Sequence, residues 1–171
     1  MAFTHSNGWT PNYTCVLKSV GPGGTYGAMC VRFSSPDEPD MQGEFFDEWT
    51  DFCMKSAESN VPTLFNHGLA VGRSATAQRF ADAVFPDATI HRVAGGLYGT
   101  IKLSAGDPLQ SAIATMIEKQ ALKFSTGSTT QFSRRESGRI TRWPIVELSV
   151  TPTPAEPRLP KIRQQIGRAH V

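Results

Sequence analysis

The chain has 171 residues, 39% of them hydrophobic, which is enough for one well-buried core and too few for two ordinary domains. Its 17 Lys and Arg against 15 Asp and Glu leave a formal charge of +2, with the basic residues scattered, so no footprint for nucleic acid stands out. No apolar run approaches the roughly 18 residues of a membrane span and no signal-peptide pattern opens the chain, so a soluble protein made in a cytoplasm, without membrane contact, is expected.

In chain order, residues 13–20 and 28–33 alternate as strands do, and Gly21-Pro22-Gly23-Gly24 between them is turn chemistry, so an N-terminal hairpin is predicted. A Ser/Pro/Asp loop covers 34–40. Trp49, Phe52, Cys53 and Ala57 recur at helical spacing and predict a short helix over 47–58. Residues 61–66 form a brief apolar strand that places His67 at its end, where Gly68 lets the chain turn away. A surface helix is expected over 76–84. Strands at 90–93 and 97–103 should pair around Gly95-Gly96, a favoured hairpin dipeptide.

Asp107-Pro108 opens the best-marked helix, an N-cap followed by a proline suited to the first turn. Leu109, Ile113, Met116, Ile117 and Ala121 form its apolar stripe, which reads as core packing. The helix runs directly into Leu122-Lys123-Phe124-Ser125, so a strand carrying the serine follows at once. Strands over 129–134 and 140–150 complete the pattern before the proline-rich stretch 151–157 ends regular structure. Many short strands with two or three helices predict an α+β fold built on a mostly antiparallel β-barrel.

Cys15, Cys30 and Cys53 include no Cys-x-x-Cys pair and have no His at zinc spacing, so free thiols, no metal and no cofactor are expected. The chemistry concentrates in three segments. Leu64-Phe65-Asn66-His67-Gly68 offers an imidazole, Phe124-Ser125-Thr126-Gly127 a hydroxyl, and Val146-Glu147-Leu148-Ser149-Val150 a carboxylate within an apolar strand. An alcohol needs an imidazole to take its proton and a third group to orient that imidazole, so the set matches a nucleophilic triad. Each residue alone has a plainer reading. Ser125 sits in a Ser/Thr-rich turn, His67 ends a strand, and alternation would put Glu147 on a solvent face. The Gly-x-Ser-x-Gly elbow of α/β-hydrolases is absent, and His91 is a rival base. Gly127 would let main-chain N–H groups approach a developing oxyanion.

Taken together, Asp40-Met41-Gln42-Gly43-Glu44, Phe65-Asn66-His67-Gly68 with Val71-Gly72-Arg73, Gly95-Gly96-Leu97-Tyr98-Gly99, Ala121 to Gly127, Glu147 to Thr151 and Pro154-Ala155-Glu156-Pro157 resemble the HK97-like prohead maturation proteases of tailed bacteriophages, a family similar at a distance to the herpesvirus assembly proteases. The resemblance implies a herpesvirus-protease-like fold with Ser125 as nucleophile, His67 as general base and Glu147 as third member, a role that a second histidine fills in the herpesvirus proteins and that only His91 matches here. It implies cleavage of scaffold, of the delta segment of the major capsid protein and of the protease itself, inside a procapsid in the bacterial cytoplasm, with possible self-association. A noncatalytic, scaffold-like assembly domain is the runner-up, and a small-molecule serine esterase the third reading.

These readings divide the chain into a protease domain over 1–157, the start of a truncated C-terminal tail over 158–165, and Ile166-Gly167-Arg168-Ala169-His170-Val171, which matches the translation of a common short-read sequencing adapter. The hexapeptide, His170 included, is set aside from fold reasoning.

Overall fold

The computed structural model describes residues 24–70 and 72–165. The strand predicted over 13–20, most of the turn after it, Cys15, Val71 and the 166–171 hexapeptide lie outside those residues. β1 (Gly24–Arg32) carries Tyr26, Ala28, Met29, Cys30 and Val31 into the interior, a near-continuous buried run that marks a strand covered on both faces.

The helix expected over 47–58 does not form. Asp47 accepts a hydrogen bond from the backbone N–H of Trp49, and Asp51 accepts one from that of Cys53, local contacts that compete with helical pairing. Phe52 is buried while Trp49 is 75% exposed, so the apolar set never shared one face. The single strand expected over 61–66 is two strands, β2 (Glu58–Val61) and β3 (Thr63–Phe65), divided at Pro62, which has no N–H to give a ladder. A 3₁₀ turn over Asn66–Gly68 follows, then α1 (Ala75–Ala81), capped by the Ser74 side chain accepting from the Ala77 N–H at 3.0 Å.

β4 (Ala88–Val93) and β5 (Gly96–Leu103) form the expected hairpin. α2 (Pro108–Glu118) begins as expected at Asp107, whose carboxylate accepts from the N–H groups of Leu109 and Gln110 at 2.8 and 3.0 Å. Ile113, Ala114 and Ile117 are its buried stripe, with Leu109 and Met116 half-buried beside it and Ala121 exposed past its end. β6 (Lys123–Gly127) then carries the serine. Residues 129–133 turn instead of extending, the N–H groups of Phe132 and Ser133 both donating to the Thr129 carbonyl, and β7 (Arg134–Glu136) starts only afterwards. β8 (Arg139–Arg142) and β9 (Glu147–Thr151) divide the strand expected over 140–150, with Pro144 in the gap. Regular structure continues past the proline-rich stretch to β10 (Arg163–Gln164).

The architecture is α+β with mostly antiparallel sheets. A five-stranded sheet runs β10-β1-β5-β4-β2, a three-stranded sheet runs β3-β9-β6, and β7 pairs with β8. Among the described residues these sheets stay open, and the expected closed barrel is not formed. Pro62 and Pro144 fall where the chain passes from one sheet to another, between β2 and β3 and between β8 and β9, so neither pair of strands runs on as one continuous strand. The β3–β9 pair is parallel and joins distant parts of the chain.

Phe124, Leu148 and Val150 of the three-stranded sheet meet Ala28, Cys30 and Leu97 of the larger one, with Ile113 and Ile117 of α2, in one continuous core. Residues 158–165, read as the start of a tail, pack onto this domain. Leu159 and Ile162 are buried, and the Ile162 N–H donates to the Leu122 carbonyl at 3.2 Å.

Candidate catalytic site

β9 is the centre of the three-stranded sheet, and its alternation sorts the site. Leu148 and Val150 point into the core, so Glu147, Ser149 and Thr151 share the opposite face. Register places Ser125 of β6 opposite Ser149 and Gly127 opposite Glu147, while Leu64 and Phe65 of β3 lie beside Ser149 and Val150 on the other edge. Residues from three distant segments thus meet on one strand.

His67 lies in the turn that leaves β3. Asn66, His67 and Gly68 take φ values of 48°, 58° and 69°, three consecutive left-handed residues of which only the glycine is at ease. Such a conformation costs on the order of 1–3 kcal/mol at each non-glycine position and persists only where its surroundings hold it. β9 does so. The Thr151 hydroxyl donates to Asn66 Oδ1 at 2.9 Å, Asn66 Nδ2 donates to the Leu69 carbonyl at 3.0 Å, and the His67 backbone N–H donates to Ser149 Oγ at 2.9 Å.

Glu147 is 8% exposed, not on the solvent face that its alternating strand allows. Its Oε1 lies 2.6 Å from His67 Nδ1, and its Oε2 accepts from the Ser149 hydroxyl at 2.7 Å. An ionised carboxylate only accepts, so beside one the shared hydrogen sits on Nδ1, and a neutral ring held that way keeps its lone pair on Nε2, the arrangement a general base requires. Gly127 makes this placement possible, because a Cβ built there would overlap the Glu147 carboxylate.

Ser125, 7% exposed, lines with His67, Gly127 and Ser128 a cleft of about 290 Å³. Phe45, Phe46 and Trp143 form an apolar wall, and the Trp143 indole N–H is fixed on Thr126 Oγ1 at 3.2 Å. Among the described residues no hydrogen bond joins Ser125 Oγ to the His67 ring. Cys30 also borders the cleft, but burial pushes its thiol up to about 12 and its Sγ faces the Leu97 carbonyl at 3.5 Å. A neutral thiol is a poor nucleophile, which leaves the serine as the better-placed group.

His91 lies elsewhere. It sits on β4 opposite Tyr98, ring centroids 5.5 Å apart, and does not line the cleft. Of the residues singled out from sequence, His67, Ser125, Glu147 and Gly127 come together and His91 does not. Ser149, Thr151 and Asn66, which hold the histidine, were not foreseen. Their signal was hydroxyls at every second position after Glu147, on the face opposite the apolar residues. Among the described residues no group of three or more His, Cys, Asp or Glu side chains gathers as a metal site would require.

Compared with protein-family models, with curated proteins and with solved structures, the chain gives no match.

Proposed function

We propose that the chain is a serine endopeptidase of the prohead-maturation kind, with Ser125 as nucleophile, His67 as general base and Glu147 as the acid that orients the base. The observation that carries this reading is the 2.6 Å contact between Glu147 and His67 Nδ1 beside a cleft that also holds Ser125. Ser125 Oγ attacks the scissile carbonyl while His67 Nε2 takes its proton. The tetrahedral intermediate collapses to an acyl-enzyme as that proton passes to the leaving amine, and water releases the acyl group by the same route. Backbone N–H groups near Gly127 are the candidate oxyanion donors.

On this reading the α+β fold is a distant variant of the herpesvirus assembly protease fold. The substrates are scaffold, the delta segment of the major capsid protein and the protease itself, within a procapsid in the bacterial host. Enclosure with its substrates raises their effective concentration, so weak peptide recognition suffices.

The lack of a direct hydrogen bond between Ser125 and His67 favours a second reading, a noncatalytic scaffold-like assembly domain. Catalytic contacts also run long in free enzymes and tighten with substrate, which keeps the peptidase first. Co-expression with the neighbouring capsid gene, comparing wild type with Ser125→Ala by intact mass, tests the proposal. Processed capsid protein with wild type and unprocessed protein with the variant is expected. Equal processing by both would refute Ser125 as nucleophile, and no processing together with no labelling of Ser125 by a fluorophosphonate would favour the scaffold.

A further inference from the structure

We propose that Ser149 is a positioning residue that sets the tautomer of His67; the inference rests on the reading of His67 as the base for Ser125. Three hydrogen bonds close a ring. The His67 backbone N–H meets Ser149 Oγ at 2.9 Å, Ser149 Oγ meets Glu147 Oε2 at 2.7 Å, and Glu147 Oε1 meets His67 Nδ1 at 2.6 Å. The ring starts and ends on one residue, so the imidazole is tied to the backbone of its own turn through a hydroxyl and a carboxylate.

Only one set of hydrogens suits all three contacts with an ionised acid. An amide N–H can only donate, so it occupies a lone pair of Ser149 Oγ and sends the serine hydrogen to Oε2. Donation to a carboxylate favours its charged form. The charged form then accepts from Nδ1–H, and in a neutral ring so held Nε2 is the unprotonated nitrogen. Turning the serine hydrogen elsewhere would set a donor without an acceptor inside a fully buried site, since Ser149 is 0% exposed.

Burial also separates this role from that of a nucleophile. Ser149 lies opposite Ser125 in the β6–β9 register, yet only Ser125 lines the cleft. Nor is the hydroxyl merely filling space, because both of its partners belong to the triad. A serine bonded back to its own strand would leave the ring orientation of His67 unaffected on replacement.

The test uses the full chain, ¹⁵N-labelled at histidine, as wild type, Ser149→Ala and Ser149→Thr, with His67→Gln to assign the imidazole resonances. Near neutral pH, wild-type His67 is expected to show a protonated Nδ1 and a bare Nε2. Ser149→Ala should lose the dominance of that tautomer, and Ser149→Thr, which keeps the hydroxyl, should recover it. Labelling of Ser125 by a fluorophosphonate should slow on the order of 10–100-fold in Ser149→Ala, the effect of losing a hydrogen bond to a charged group. A wild-type His67 carrying its hydrogen on Nε2 would overturn the proposal without any variant. So would a Ser149→Ala protein whose tautomer is unchanged. Wild type that is never labelled would instead defeat the peptidase reading, while the spectra still decide what Ser149 does.

Discussion

Gly127 faces Glu147 across the β6–β9 ladder, and the acid's carboxylate lies where a side chain at position 127 would begin. The strand that carries Ser125 therefore also determines where the Glu147 carboxylate can rest. Gly127→Ala should force Glu147 away from His67 while leaving the sheet paired. Fluorophosphonate labelling of Ser125 is expected to slow at least about tenfold, as when a buried charged contact is lost. Labelling at the wild-type rate, in a variant that melts as wild type does, would show that the position of Glu147 is immaterial.

The two candidate histidines should separate cleanly. His67→Ala removes the imidazole that lines the cleft with Ser125 and should slow labelling by about 10²–10⁴-fold, the usual worth of a general base. His91→Ala removes a ring tilted against Tyr98 in the other sheet and should leave labelling within about threefold of wild type, since changes away from a site are mild. Measured side by side, a reversal of the two results would exchange their roles.

Cys30 supplies a pH dependence whose sign follows from burial. Desolvation raises its thiol from an ordinary 9.0 to about 12, so the folded chain keeps a proton that the unfolded chain releases. The stability contributed by the neutral thiol is whole below the unfolded value and drains as pH rises toward the folded one. Denaturant titrations from about pH 8 to about pH 11 should show wild type losing stability faster than Cys30→Ala. Parallel slopes would contradict this. Iodoacetamide should modify exposed Cys53 well before Cys30.

Residues 158–165 should behave as part of the fold. Ile162 is fully buried and its backbone is tied to Leu122, so Ile162→Ala should cost about 2–5 kcal/mol of unfolding free energy, the range for such truncations in a core. A denaturation midpoint equal to wild type would mean that the segment is dispensable. Chains ending at Pro157 should be less soluble than those that retain β10.

Local signals were readable wherever one residue type decides the outcome. Asp107-Pro108 marks the start of α2, and Gly95-Gly96 marks the β4–β5 hairpin. The region 47–58 misled because its aromatic spacing imitates a helix while Asp47 and Asp51 bond the backbone as turns. The burial of Glu147 was not legible, since a strand shows the same alternation whether its polar face meets water or a folded turn. What makes the difference is the pairing of β3 with β9, a contact between distant segments that no local pattern records. For the same reason His67, Ser125 and Glu147 could be named one at a time, but the hydroxyls of Ser149 and Thr151 gained meaning only once the turn lay across them. Leu159 and Ile162 stand in an unpatterned stretch rich in proline and charge, and nothing local marks them as core.

The His67–Glu147 contact bridges 80 residues, with the histidine's turn made early and its supporting strand made late. During translation β3 and its turn leave the ribosome long before β9 exists, and until then neither the backbone nor the ring of His67 has its partner. Ser125 precedes β9 in the chain as well, and because β9 lies between β3 and β6 it is β9 that joins the serine's strand to the histidine's. The order of synthesis thus acts as a clock: a nascent chain holds every group but the last, and the site is complete only after elongation has passed Thr151.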